Sequence, residues 1–144
     1  MFLVMISEKM SNQSLIATIH IENRGDVWDS LDYIVVRCKD CICGPPFIMY
    51  KLGINAKQIE LGYPVTRQIN NGKLETHMFE FGQTFFTFYF GPHSLLDGAT
   101  KSFLTNLRED LDFSHITIKE IYHEIYPESP EDNVTEIQAF IHSE

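Results

Sequence analysis

The sequence predicts an α+β domain: two strand–helix–strand–strand units forming one antiparallel sheet with two main helices and a central groove. Three observations carry this. Short segments alternate apolar and polar residues with a period of two, as half-buried strands do. Two longer segments repeat apolar residues at i, i+3, i+4 and i+7, one face of a helix. The same order of segments recurs once along the chain. The chain has 144 residues, 44% of them apolar. That is enough for a single domain over 1–144, with 1–12 read as a tail or a short strand.

Residues 14–23 read as the first full strand, with Leu15, Ala17, Ile19 and Ile21 on one face and Thr18 and His20 on the other. Arg24-Gly25 ends it, and Asp26 is the expected helix N-cap. Apolar residues at 27, 28, 31, 34, 35 and 38 then give the first helix, although Val35 and Val36 weaken its last turn. Gly44-Pro45-Pro46 breaks the chain. Strands follow at 47–50 and 58–65, with 52–57 as the connection, and Asn70-Asn71-Gly72 marks a turn. Two more strands are expected at 73–81 and 84–90, joined around Gly82. Pro92 suits the first turn of a helix, whose stripe is Leu96, Ala99, Phe103, Leu107 and Leu111. The last strands are read at 118–126 and 134–142, across an acidic, proline-containing turn.

The repeat is visible in particular residues. Residues 18–25 and 84–91 each run as a strand into glycine and then a helix. Further on, Tyr50 corresponds to Tyr126, Glu60 to Glu136 and Val65 to Ile141, the wider offset fitting a longer second helix and loop.

The stretch Ile121-Tyr122-His123-Glu124-Ile125-Tyr126 is the candidate centre of function. Read as a continuous strand, it puts Tyr122, Glu124 and Tyr126 on one face. A carboxylate between tyrosines, lining a concavity, suits an apolar or cationic small molecule. The plainer alternative is a solvated glutamate on an exposed strand face. Pseudo-symmetric packing of the halves would bring Ile48 and Tyr50 opposite Glu124 and Tyr126, with Tyr122 at the edge. Trp28 belongs either to the groove rim or to the core. His93, at the helix start, either caps the helix or meets the ligand. His123 shares parity with Ile121 and Ile125 and reads as a packed, hydrogen-bonded histidine.

The formal net charge is −9, and no basic patch is present to neutralise phosphates, which argues against nucleic acid and anionic membranes as partners. No run approaches the roughly 18 apolar residues of a membrane helix, so a cytoplasmic protein is expected. Cys38, Cys41 and Cys43 are the only cysteines. Without a second pair they make neither a disulfide framework nor a zinc site, so no metal and no cofactor is expected. No G-x-S-x-G nucleophile motif or phosphate-binding glycine loop occurs.

Five motifs taken together, Gly44-Pro-Pro-Phe-Ile-Met-Tyr50, Ile59-Glu-Leu-Gly-Tyr-Pro-Val65, Phe90-Gly-Pro-His93, Glu124-Ile-Tyr126 and Thr135-Glu-Ile137, resemble the GyrI-like family. This effector-binding domain is also found in AraC-type and MerR-type multidrug regulators. The resemblance runs from about Ser14 to Ile141 and implies a tandem SHS2-like fold with a ligand groove. It implies that Glu124 contacts cationic or polar ligands and that Tyr50 lines the groove. Some stand-alone members hydrolyse cyclopropanoid genotoxins with a groove Glu and Tyr, which would make Glu124 and Tyr126 catalytic here; others modulate DNA gyrase. His93 departs from the pattern, since the family often has Tyr there. The short stretch before Ser14 holds no helix-turn-helix, so a DNA-binding regulator within this sequence is not expected. The expected partner is thus a hydrophobic, cationic or neutral small molecule, with a regulator or gyrase as alternative protein partner and the oligomeric state open.

Overall fold

Among the described residues, eight strands share one antiparallel sheet, and their order is mirrored about its centre. The computed structural model describes residues 7–10, 14–52, 59–69, 71–79, 83–107 and 116–141. The elements are β1 (Ser7–Met10), β2 (Ser14–Ile21), α1 (Val27–Cys38), β3 (Phe47–Lys51), β4 (Ile59–Pro64), β5 (Glu75–Phe79), β6 (Gln83–Phe90), α2 (Leu96–Leu107), β7 (Ile116–Glu124) and β8 (Val134–Ile141). Short 3-10 turns, Arg24–Asp26 and His93–Leu95, lead into the two helices.

The sheet order is β1-β6-β8-β7-β3-β4-β2-β5. Reflection about the β7/β3 boundary exchanges β7 with β3, β8 with β4, β6 with β2, and β1 with β5. The repeat expected from the sequence is therefore built into the topology, with β3 and β7 paired at the seam. The outermost strands are traded. β1, which precedes the first unit, pairs with β6 of the second, and β5, which precedes the second, pairs with β2 of the first.

Both helices lie on one face. Val27, Leu31, Ile34 and Cys38 of α1 and Leu96, Ala99, Phe103 and Leu104 of α2 share a core with Ala17, Ile19, Ile48, Leu61, Ile118 and Ile137. Strand parity sends the alternate residues to the other face, where Ile16, Phe47 and Met49 pack with Phe79 and Ile121. Among the described residues, no helix covers that side. Instead the sheet curls until the Phe79 ring of β5 meets Phe140 of β8, with centroids 5.3 Å apart. Those strands are five positions apart in the order, which in a flat sheet would be roughly 24 Å. Gly62 allows β4 and β2 to approach closely: a Cβ there would lie 2.4 Å from the Ala17 carbonyl oxygen of the neighbouring strand.

Some boundaries differ from expectation. β7 spans Ile116–Glu124, not 118–126, and its pairing with β8 slips between Tyr122 and Glu124. Asp26 stands at the start of α1 but makes no capping bond. The cap is Asn23, whose Oδ1 accepts from the Gly25 amide at 2.8 Å. The connections read at 53–57 and around Gly82, as well as Asn70, Leu111, His115 and His142, lie outside the described residues.

Candidate functional site

At the seam, β7 presents Ile118, Glu120 and Tyr122 to the helix face beside Ile48 and Tyr50 of β3. Glu120 is fully buried, an expensive place for a carboxylate without partners. Four donors meet it. Arg24 Nη1 donates to Oε1 and Nη2 to Oε2, each at 2.8 Å. Tyr50 donates to Oε2 at 2.8 Å, and Tyr122 to Oε1 at 3.2 Å. Each oxygen thus accepts twice, which fills the roughly four acceptor positions of a carboxylate.

Arg24 is delivered by the turn that ends β2. It also lies 3.4 Å from Asp97 in the first turn of α2, and its guanidinium stands over the Tyr50 ring at 5.3 Å. The Glu120 hydrogen bonds hold the Arg24 guanidinium above its ordinary range, against desolvation. Burial first, and the Glu120 charge second, push the Tyr50 and Tyr122 phenols up. Both hydroxyls therefore stay protonated and donate.

Above this cluster sits an aromatic layer. Trp28, in the first turn of α1, stacks on His93 with ring centroids 5.9 Å apart and planes 14° apart. Both lean on Tyr122, at 6.0 and 5.0 Å. His93 is fixed by its turn: the Gly91 amide donates to the Asn133 carbonyl at 3.0 Å, and the Tyr89 hydroxyl to the Pro92 carbonyl at 3.1 Å. Gly91, at φ 154°, is required there, because a Cβ would lie 2.6 Å from the Tyr89 hydroxyl. Burial holds the His93 imidazole below its usual pKa, with the Glu120 charge opposing. Its Nε2 is buried without a hydrogen-bond partner.

Beyond the Trp28–His93 stack opens a cleft of about 830 Å³ between α1, the turn at 92–94 and the loop from Ile125 to Asn133. Trp28, His93, Tyr63, Tyr126 and Val35 give it an aromatic and aliphatic wall, and Asp29 and Asp32 stand at its α1 side. Tyr126 is anchored by its amide, which donates to Asn133 Oδ1 at 2.6 Å; its phenol is pushed up chiefly by the charge of Glu124.

Of the residues predicted from the sequence, Trp28, His93 and Tyr126 line the cleft. Tyr50 and Tyr122 lie beneath it on the Glu120 cluster, and Ile48 is a fully buried neighbour of Glu120 across the seam. Glu124 is exposed and is not the buried acid. The bulge is the cause: Tyr122 pairs with Thr135 but Glu124 pairs with Val134, so the two point to opposite faces. The buried acid on the helix face is Glu120, which lies behind the cleft and not in its lining. The same slip returns Ile125 to the helix side, where it packs against the core. Sequence reasoning missed Glu120 and Arg24. Its available signal was a charged pair, Lys119-Glu120, embedded among Ile116, Ile118 and Ile121, since buried charges demand partners.

The other face holds a second polar group. Lys119 is only 8% exposed, its Nζ 4.4 Å from the centroid of the Phe47 ring and 5.9 Å from that of Phe79. Glu136 shares that face, bonded by His123 Nε2 at 2.9 Å and Gln138 Nε2 at 2.6 Å. His123 is thus hydrogen-bonded, though more exposed than packed. Desolvation lowers the Lys119 ammonium to about 8, against the pull of Glu136.

Cys38 and Cys41 are buried thiols and Cys43 is exposed, with burial pushing Cys38 up to about 11. Among the described residues, no group of three or more His, Cys, Asp or Glu is placed to hold a metal, and no helix is long and apolar enough to cross a membrane.

No protein-family model matches the chain, and no curated protein sequence matches it. Solved structures do. The chain is similar to the EcmrR C-terminal domain, with a TM-score of 0.77 and 13% identity over 99% of both chains. It is similar to a hydrolase encoded by lin2189 of Listeria innocua, at TM-score 0.65 and 10% identity over 95% of this chain and 91% of that one. It is similar to SAV2435 bound to tetraphenylphosphonium, at TM-score 0.58 and 8% identity over 96% and 94%. At these identities the likeness shows the shared α+β fold.

Proposed function

We propose that the protein binds a hydrophobic, cationic or neutral small molecule in the cleft between α1 and the 125–133 loop, as the GyrI-like resemblance implies. The observation that carries this is the cleft itself. Its 830 Å³ falls within the range of small-molecule sites, and its wall is aromatic and aliphatic. Behind its Trp28–His93 wall lie the Glu120 cluster and the buried, unpartnered His93 nitrogen. The fold shared with SAV2435, a protein seen with tetraphenylphosphonium, and with the EcmrR C-terminal domain supports the reading.

The test uses Trp28, the chain's one tryptophan, as an internal reporter. Tetraphenylphosphonium and triphenylphosphine oxide are titrated while its fluorescence and the Tm are followed. Saturable quenching with a rise in Tm is expected, and Trp28→Ala should weaken binding about tenfold through the lost ring contact. Absence of any Tm shift with either probe would sink the reading.

A hydrolase is the second reading. Its supporting observation is the direct contact of Glu120 with two tyrosyl hydroxyls, on a fold shared with a Listeria innocua hydrolase. With all acceptor positions of Glu120 engaged, a general-base role requires Arg24 to move first. Mass spectrometry of electrophilic, cyclopropane-bearing probes after incubation separates the two readings. Consumption abolished by Glu120→Gln favours the enzyme, and unchanged probe favours the binder.

A further inference from the structure

We infer that Arg24 is an internal cation that neutralises Glu120, the acid buried behind the cleft, so that this chain, if it binds ligands as proposed above, accepts neutral ligands there as readily as cations. The inference rests on the proposed cleft and adds the residue that sets its charge preference. A buried acid attracts a cationic ligand because it lacks a countercharge. Glu120 has one: Arg24 spans both its oxygens at 2.8 Å, and the hydroxyls of Tyr50 and Tyr122 take the remaining positions. An arriving cation finds no free acceptor on Glu120, whose charge Arg24 balances; Asp97, the second acid on Arg24, is exposed to solvent. Arg24 also bridges the halves. It rises from the first unit, whereas Glu120 and its outer contact Asp97 belong to the second. His93 holds the corresponding first position of the other 3-10 turn, and its imidazole, lacking a hydrogen-bond partner at Nε2, leaves a donor or acceptor for an uncharged ligand. Among the described residues, the acids of the cleft wall are Asp29 and Asp32, which are exposed and act at a range that salt screens.

Three probes of nearly one shape and different charge test this in high salt: tetraphenylphosphonium, triphenylphosphine oxide and tetraphenylborate. The wild-type chain is expected to bind the phosphonium no more than tenfold tighter than the oxide. Arg24→Met exposes the Glu120 charge and should raise phosphonium affinity at least tenfold with no gain for the oxide. Glu120→Gln frees the guanidinium and should raise tetraphenylborate affinity by a similar factor, which tests the same claim if Arg24→Met does not fold. The double variant should lose both gains. Binding of the neutral oxide together with unchanged charge preference in the folded single variants overturns the Arg24 assignment alone. Failure of all three probes on every variant overturns the cleft reading and this inference with it.

Discussion

Lys119 and Glu120 are neighbours on one strand, both buried and oppositely charged, yet the fold accommodates them by different means. Glu120 faces the helices and is held by geometry: two guanidinium N–H groups and two hydroxyls aim at its oxygens. Lys119 faces the curled side and is held against ring faces, with one carboxylate on that side already committed to His123 and Gln138. Ring faces attract an ammonium by about 0.5–2 kcal/mol, less than desolvation takes away, which is why Lys119 falls to about 8. The lesson is that equal burial does not mean equal compensation of the buried charge. The acid is fixed as an ion pair, and the amine stands close to giving up its proton.

The sharpest way to break the contrast is to remove a partner of the acid. Arg24→Met leaves Glu120 buried with only two donors and should lower the unfolding free energy by about 3 kcal/mol, the low end of the range for a broken buried pair because Arg24 is partly in water. Urea unfolding at pH 7 measures it; a loss under about 1 kcal/mol would mean the pair contributes no more than a surface bridge. Lys119→Met should do the opposite. The fall from 10.5 to about 8, at 1.36 kcal/mol per pH unit, corresponds to a penalty on the order of 3 kcal/mol. That is the upper limit of the gain expected at pH 7. The sign follows from proton counts. Between about pH 8 and 10.5 the unfolded wild-type chain still holds a proton that folded Lys119 has released, so wild-type stability rises with pH across that window. The advantage of Lys119→Met should therefore shrink from pH 8 to pH 10.5, and a constant advantage would refute the desolvation account.

Smaller changes sharpen the picture. Tyr50→Phe removes the 2.8 Å hydroxyl donor and should cost about 2 kcal/mol, and Tyr122→Phe, at 3.2 Å, about 1 kcal/mol. Equal losses would mean the distances do not rank the bonds. Glu136→Gln removes a charge that supports the ammonium, so Lys119 should titrate slightly lower still, by under about one pH unit. The pH dependence of its acetylation rate reads this directly, and an upward move would contradict it.

The sequence carried the fold further than the site. Period-two strands, two helical stripes and the recurring order of segments led to the duplicated sheet, because each is a local pattern with a fixed geometric meaning. Parity counting puts Glu124 on the Tyr122 face because it assumes an unbroken strand, whereas the bulge at Tyr122–Glu124 turns the strand over by one residue. Arg24 read as the end of a strand because its partners, Tyr50, Asp97 and Glu120, are distant in sequence. The curl of the sheet was not legible, because it brings together Phe79 and Phe140, which are distant in sequence.

The exchange of β1 and β5 makes each repeat wear the other's outer strand, as in a domain-swapped dimer written on one chain. Neither repeat is complete by itself. Cut the backbone in the connection that follows β4, and the two fragments remain buckled at both margins as well as along the midline. Such pieces should reassemble when mixed, and the intact molecule should melt in one step with no half-folded species.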